Sequence, residues 1–216
     1  MRTVCGIARR AQLLTVGDTA GGRIGAVAPR GRPLLGNALG EQRCDGIRLD
    51  QVDGTTCGSA VLVALAAWAD PAEADRLARI GFDARQRQVH RESNRLWPRA
   101  LGTTPWGMVR WLHEHAPHAG RYRVRFVDDT SAADVAALSA AVAAALAAGR
   151  PVPLLVGSLV PRHYVLALAG TDRGWRVYEP SSGSVRALDV ERIRRRGLGP
   201  VVGFDRLHLA LLPTGP

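Results

Sequence analysis

The pattern of apolar and polar positions divides the chain into an early helical part and a later part rich in strands. Residues 57–68 (CGSAVLVALAAW) form an apolar run of helical length that ends before Asp70-Pro71, where a second helix starts. Residues 84–100 are polar and Arg-rich. Pro105 opens a helix running to about His115. The segment RYRVRFV (121–127) alternates as an edge strand does. Ser131 caps a long Ala-rich helix with Asp134 in its first turn and Gly149 as its stop. The runs PVPLLVG, HYVLALAG and WRVY are strands by β-branched content and length. Strands continue to the end, broken by one short helix beginning near Asp189. Helices first and a mostly antiparallel sheet afterwards is an α+β order.

Residues 1–45 are Gly- and Arg-rich with weak periodicity, which predicts an irregular arm carrying a short strand at most. The remainder, 46–216, is long enough for one domain with a sizeable core. No internal repeat is evident.

Charge changes this picture less than its size suggests. A net charge of +10 normally points to nucleic acid or an anionic surface. Every residue of the Lys and Arg type is Arg, however, and Ala, Gly and Val abound. That is the bias of a GC-rich bacterial genome rather than of a phosphate-binding patch. No RNA- or DNA-binding motif accompanies it, so no nucleic-acid partner is expected, and Arg194-Arg195-Arg196 is placed on the solvated face of the short helix. The N-terminal MRTVCGIARRAQLL lacks the apolar core and cleavage site of a signal peptide. The Ala-rich residues 132–148 begin with charge and end at Gly149, so no membrane span is expected. Three cysteines are an odd count; Cys5 and Cys44 can pair and leave Cys57 free, but a reduced cytoplasmic protein is the simpler reading. Secretion by a route without a recognisable signal stays open.

Candidate chemistry centres on QVDGTTCGSA. Cys57 opens the apolar helix, and a helix N-terminus stabilises a thiolate, the reactive form of cysteine. Thr55 or Thr56 is placed to cap the helix, and Gly58 keeps bulk away from the sulfur. The Gln51 side chain, just upstream, can aim its NH2 at the same spot as the Cys57 N–H, which gives two donors for a tetrahedral intermediate. A nucleophilic cysteine needs a base, and the base an orienting group. Among the six histidines, His90 sits in the polar stretch and is read as solvated. His113, His115 and His118 end a helical segment, where cations suit the dipole; no Cys or carboxylate pattern makes them a zinc site. His208 lies in a C-terminal apolar strand and is read as structural. His163 begins one strand and Glu179 ends the next, after a turn around Gly170 and Gly174. Antiparallel pairing puts both at the same end of the sheet.

The order Gln51, Cys57-Gly58, His163-Tyr164-Val165 and Glu179-Pro180-Ser181-Ser182-Gly183 resembles papain-like cysteine peptidases. The likeness is greatest to the double-glycine leader peptidases of peptide-exporting transporters and covers roughly residues 50–205. It implies a papain-like α+β fold in which the Cys helix packs on the sheet carrying His163. It also implies an amide-cleaving enzyme without cofactor or metal, acting on a peptide or protein through Cys57, His163, Glu179 and Gln51. Residues 84–100 then fall to the substrate groove. Glu179 departs from the pattern, because the family's acid is usually Asp. The family's attached transporter has no counterpart here. Gly21-Gly22 resembles the cleavage signal the family cuts, although such a pair arises by chance in a chain with 24 glycines. Two further classes stay open: an acyl-transfer or deamidating enzyme with the same residues, and a non-catalytic papain-like binding domain.

Overall fold

The computed structural model describes residues 3–16, 34–95 and 97–215. Its first element is a helix, α1 (Val4–Val16), where an irregular arm was expected. Cys5, Gly6 and Arg9 face inward, and the buried Arg9 guanidinium pairs with Asp134 at 3.1 Å. An arginine on the buried face breaks the apolar periodicity by which a helix is recognised. Three two-residue strands follow: β1 (Gly40–Glu41), β2 (Arg43–Cys44) and β3 (Ile47–Arg48). The Gly21-Gly22 pair lies outside the described residues.

The helical part consists of α2 (Cys57–Ala69), α3 (Pro71–Ile80), α4 (Phe82–Ser93) and α5 (Pro105–His115). All of α2 is buried except Trp68, as its unbroken apolar run requires. Asp70 ends α2 and caps α3 by accepting the Ala72 N–H at 2.9 Å, with Pro71 at the first helical position. Thr104 and Pro105 repeat the device for α5. The first half of the Arg-rich stretch is helix α4, and Arg85, Gln86 and His90 are buried on it. Arg85 reaches Glu73 at 2.5 Å and stacks over Trp111, so its charge is paired where no water can solvate it.

After β4 (Arg121–Phe126), Ser131 caps α6 (Ala132–Ala147) by accepting the Asp134 N–H, and Gly149 at φ 73° follows its end. Strands β5 (Val152–Gly157), β6 (Pro161–Thr171), β7 (Gly174–Glu179) and β8 (Ser184–Asp189) come next. Two short helices, α7 (Val190–Arg194) and α8 (Gly199–Val202), then precede β9 (Arg206–Thr214), where one had been expected. These strands join β1 in a seven-stranded sheet of order β1-β8-β7-β6-β5-β9-β4, with every pairing antiparallel. The alternating β4 lies at an edge, as its pattern predicts.

The chain is therefore α+β, and helices cover both faces of the sheet. On one face Leu62 and Leu65 of α2 and Trp111 of α5 pack with Tyr164, Leu166 and Leu209. On the other, Leu138 and Val142 of α6 and Ile193 of α7 pack with Leu154, Val165 and Trp175. Strand β5 is buried throughout because both its sides are covered: Leu155 points to the α2 side, Leu154 and Val156 to the α6 side. Truncating Leu62 or Leu154 to Ala should cost about 2–5 kcal/mol.

Candidate active site

His163 is near the start of β6 and Glu179 is the last residue of β7. The hairpin between them turns at Asp172-Arg173, with Thr171 opposite Gly174, slightly tighter than the turn expected from Gly170 and Gly174. Register then decides whether the two side chains can meet. In the register of the turn, Glu179 would stand opposite Leu166 and share the face of Tyr164. A one-residue shift between Ala167 and Ala169 changes the pairing to Leu166 opposite Tyr178. Carried one step on, this sets Glu179 against Val165, on the face of His163. A bulge re-aims every side chain beyond it by one face. The contact that results is short: His163 Nε2 lies 2.7 Å from Glu179 Oε1.

Glu179 is fixed from its other side as well. Oε1 accepts the Ser181 N–H at 2.7 Å and Oε2 the Ser182 N–H at 2.9 Å, so the carboxylate closes the turn that ends at Gly183. Burial opposes its charge, but the hydrogen bonds from His163, Ser182 and Ser181 hold the carboxyl down at about 2. For His163 burial likewise opposes the charged form, yet the neighbouring Cys57 side chain and the hydrogen bond to Glu179 raise it to about 9. With Nε2 on the carboxylate, Nδ1 is the nitrogen left for the sulfur. Phe204 flanks the ring, with centroids 5.9 Å apart.

Cys57 is the first residue of α2 and is buried. Thr56 precedes it but does not cap the helix, contrary to expectation. The Thr56 hydroxyl is occupied by Asp53, donating to its carbonyl and accepting its N–H, both at 3.1 Å. Thr55 donates to the Asp53 carboxylate at 2.7 Å. Among the described residues no side chain accepts from the orphan N–H groups of the first turn. Gly58 has a tighter role than leaving the sulfur clear. A Cβ there would lie 3.2 Å from the Tyr164 ring and 3.3 Å from Thr103, so glycine lets α2 close onto β6 and brings Cys57 to His163.

Gln51 joins the same cluster from a loop. Its backbone N–H donates to Pro180 O at 2.8 Å, and its side-chain oxygen accepts from the Ser181 hydroxyl at 3.3 Å. The side-chain nitrogen donates to Asp53 O at 2.7 Å, which commits one of its two hydrogens. Two residues without any sequence signal hold this loop. Gln86 of α4 brackets Gln51, accepting from Val52 N at 3.3 Å and donating to Asp50 O at 2.9 Å. The Tyr178 hydroxyl donates to Leu49 O at 2.7 Å. The packing of α4 against this loop reveals the role of Gln86, and that of β7 the role of Tyr178.

The other histidines fall elsewhere. His90 is buried, not solvated: Nδ1 faces Ser59 Oγ and Asn94 Nδ2, both at 3.2 Å, and Nε2 faces Arg99 O at 3.2 Å. Burial pushes its pKa down. That set of partners suits a neutral ring donating from Nε2. His113 Nε2 accepts the Tyr122 N–H at 3.1 Å, and His208 is fully buried in β9. Among the described residues no group of three or more His, Cys, Asp or Glu is placed to hold a metal ion, and all three cysteines are free. No described helix is long and apolar enough to cross a membrane. No protein-family model matches the chain, and no curated protein or solved structure is significantly similar to it.

Proposed function

We propose that the chain is a papain-like thiol hydrolase that cleaves a peptide or isopeptide amide. The observation that carries this reading is a buried imidazole held between a cysteine at a helix N-terminus and a carboxylate, with Nε2 on Glu179. In this reading the Cys57 sulfur attacks the amide carbonyl carbon as a thiolate, opposite a protonated His163. The Cys57 N–H and the remaining amide hydrogen of Gln51 stabilise the oxyanion, and such a donor is worth about 10²–10³ in turnover. As the C–N bond breaks, His163 gives its Nδ1 proton to the leaving amine. Water then attacks the thioester, His163 takes up its proton, and the C–S bond breaks to release the acid and the sulfur. Glu179 keeps the ring oriented and stabilises its charged form throughout.

The test is digestion of an unfolded protein such as reduced casein, with fragments identified by mass spectrometry. Fragments produced by the wild-type chain and absent with Cys57→Ala and with His163→Ala support the hydrolase. Equal fragmentation by all three, or none by any, removes it.

A further inference from the structure

Beside His163 lies an open cavity of about 350 Å³, lined by His163, Glu179, Ser181, Arg186, Val202 and Phe204 among others. Cys57 is not part of its wall. Its size is at the low end of ligand pockets, about 300–1,000 Å³, which suits a short stretch of substrate.

The chemistry of amide cleavage assigns the two halves of a substrate to different sides. The acyl half becomes bonded to the Cys57 sulfur. The leaving half receives its proton from His163 and must therefore lie against that ring. A cavity that touches His163 and not Cys57 is on the leaving side.

Its charge says what the leaving half carries. Arg186, on β8, donates from one terminal nitrogen to Val201 O at 2.9 Å. That is the hydrogen bond the guanidinium makes among the described residues. The other terminal nitrogen stands 4.0 Å from Glu179 Oε2, too far to bond, and the side chain is 39% exposed. Glu179 already accepts from His163, Ser181 and Ser182. With a charged His163 the lining holds two cations and one committed carboxylate, an excess of one positive charge. A guanidinium anchored at one nitrogen and open at the others is matched by a carboxylate, which takes two parallel N–H donors.

We infer that this cavity binds a carboxylate on the leaving side of the scissile bond, with Arg186 as the residue that selects it. The carboxylate comes from an acidic side chain or from the substrate's own C-terminus. The inference rests on the hydrolase reading of Cys57 and His163.

Random hexapeptide libraries, made once as C-terminal acids and once as C-terminal amides, separate these cases when the cleavage products are sequenced by mass spectrometry. The wild-type chain should favour a carboxylate just after the cut by at least about tenfold, as a charge-assisted hydrogen bond implies. Enrichment of Asp and Glu in both libraries identifies an acidic side chain. Cleavage one or two residues from the end, confined to the acid library, identifies the C-terminus. Arg186→Gln should abolish the preference, and Arg186→Lys, which keeps the charge but not the fork, should retain part of it. Cleavage by the wild-type chain without this preference, or with a preference unchanged in both variants, overturns the inference and leaves the hydrolase standing. Absence of any cleavage beyond that of Cys57→Ala overturns the hydrolase and the inference with it.

Discussion

Glu179 meets His163 Nε2 at 2.7 Å while both its oxygens accept backbone N–H groups of the turn that follows. A carboxylate so placed spans two structures, the imidazole and the turn, and the length of the glutamate side chain sets the span. Aspartate is shorter by one C–C bond, about 1.5 Å. It can keep the turn or the imidazole but not both. Glu179→Asp should therefore lower turnover by about a hundredfold, the cost of a misplacement of about 1 Å. Glu179→Gln should also lower it, because one of its two turn contacts becomes N–H against N–H. Activity equal to wild type in Glu179→Asp would show that the turn moves with the side chain.

The pair also gives stability a pH window. His163 is raised to about 9 from an unfolded value of about 6.5, so its contribution is complete below about 6.5 and lost as pH rises through about 9. Glu179 is held at about 2 against about 4.3 unfolded, so its contribution is complete above about 4.3 and lost as pH falls through about 2. The stability difference between wild type and Glu179→Gln, from urea unfolding at a series of pH values, should be greatest between about pH 4.3 and 6.5. A difference that stays level from pH 6 to 10 would show that His163 is not charged by Glu179. Turnover should likewise fall as pH rises through about 9, where the imidazolium is lost.

The local signals survive well. Helices begin at Asp70-Pro71, Pro105, Ser131 and Asp189 as expected, and the structure adds that Asp70, Thr104, Ser131 and Asp189 cap them. The meeting of His163 and Glu179 was expected from strand order alone, but strand order is insufficient. The one-residue shift at Leu168 chooses the face, and nothing in HYVLALAG marks it. Helix α1 and buried His90 escaped for a shared reason. Each hides a polar residue whose partner is far along the chain: Asp134 lies 125 residues from Arg9, and Ser59 lies 31 residues from His90. Periodicity counts such residues as exposed, and only the fold supplies their partners.

Cysteine reactivity should invert the order of exposure. Cys44 is the more accessible, while Cys57 and Cys5 are buried. Burial pushes the Cys5 thiol up to about 11, which leaves it inert at neutral pH. Cys57 stands at the N-terminus of α2 beside the His163 ring, where the hydrolase reading needs its attacking sulfur. Under limiting iodoacetamide at pH 7, peptide mapping should find Cys57 modified before Cys44, and Cys5 only after unfolding. His163→Ala should remove the lead of Cys57. Faster labelling of Cys44 in the wild-type chain would count against the Cys57–His163 pair.

His90 should act on the fold of the site without taking part in its chemistry. It ties α2, through Ser59, to the segment after α4, through Arg99 O and Asn94. Asn94 in turn holds Thr103 at 3.0 Å, and Thr103 is the residue against which Gly58 packs. Replacing His90 by Ala leaves the buried Ser59 hydroxyl without its partner, at about 1–3 kcal/mol, and takes from Arg99 O one of two donors, the other being the Gly102 N–H at 3.0 Å. His90→Ala should therefore shift the urea midpoint down at pH 7, with an unchanged slope if the chain still unfolds in one step. His90→Gln, which can offer an N–H toward Arg99 O, should recover part of that loss. The pH at which turnover falls should stay where it is in wild type, since His163 and Glu179 are untouched. A moved pH profile in His90→Gln with unchanged stability would mean instead that His90 is coupled to the charge of the Cys57–His163 pair.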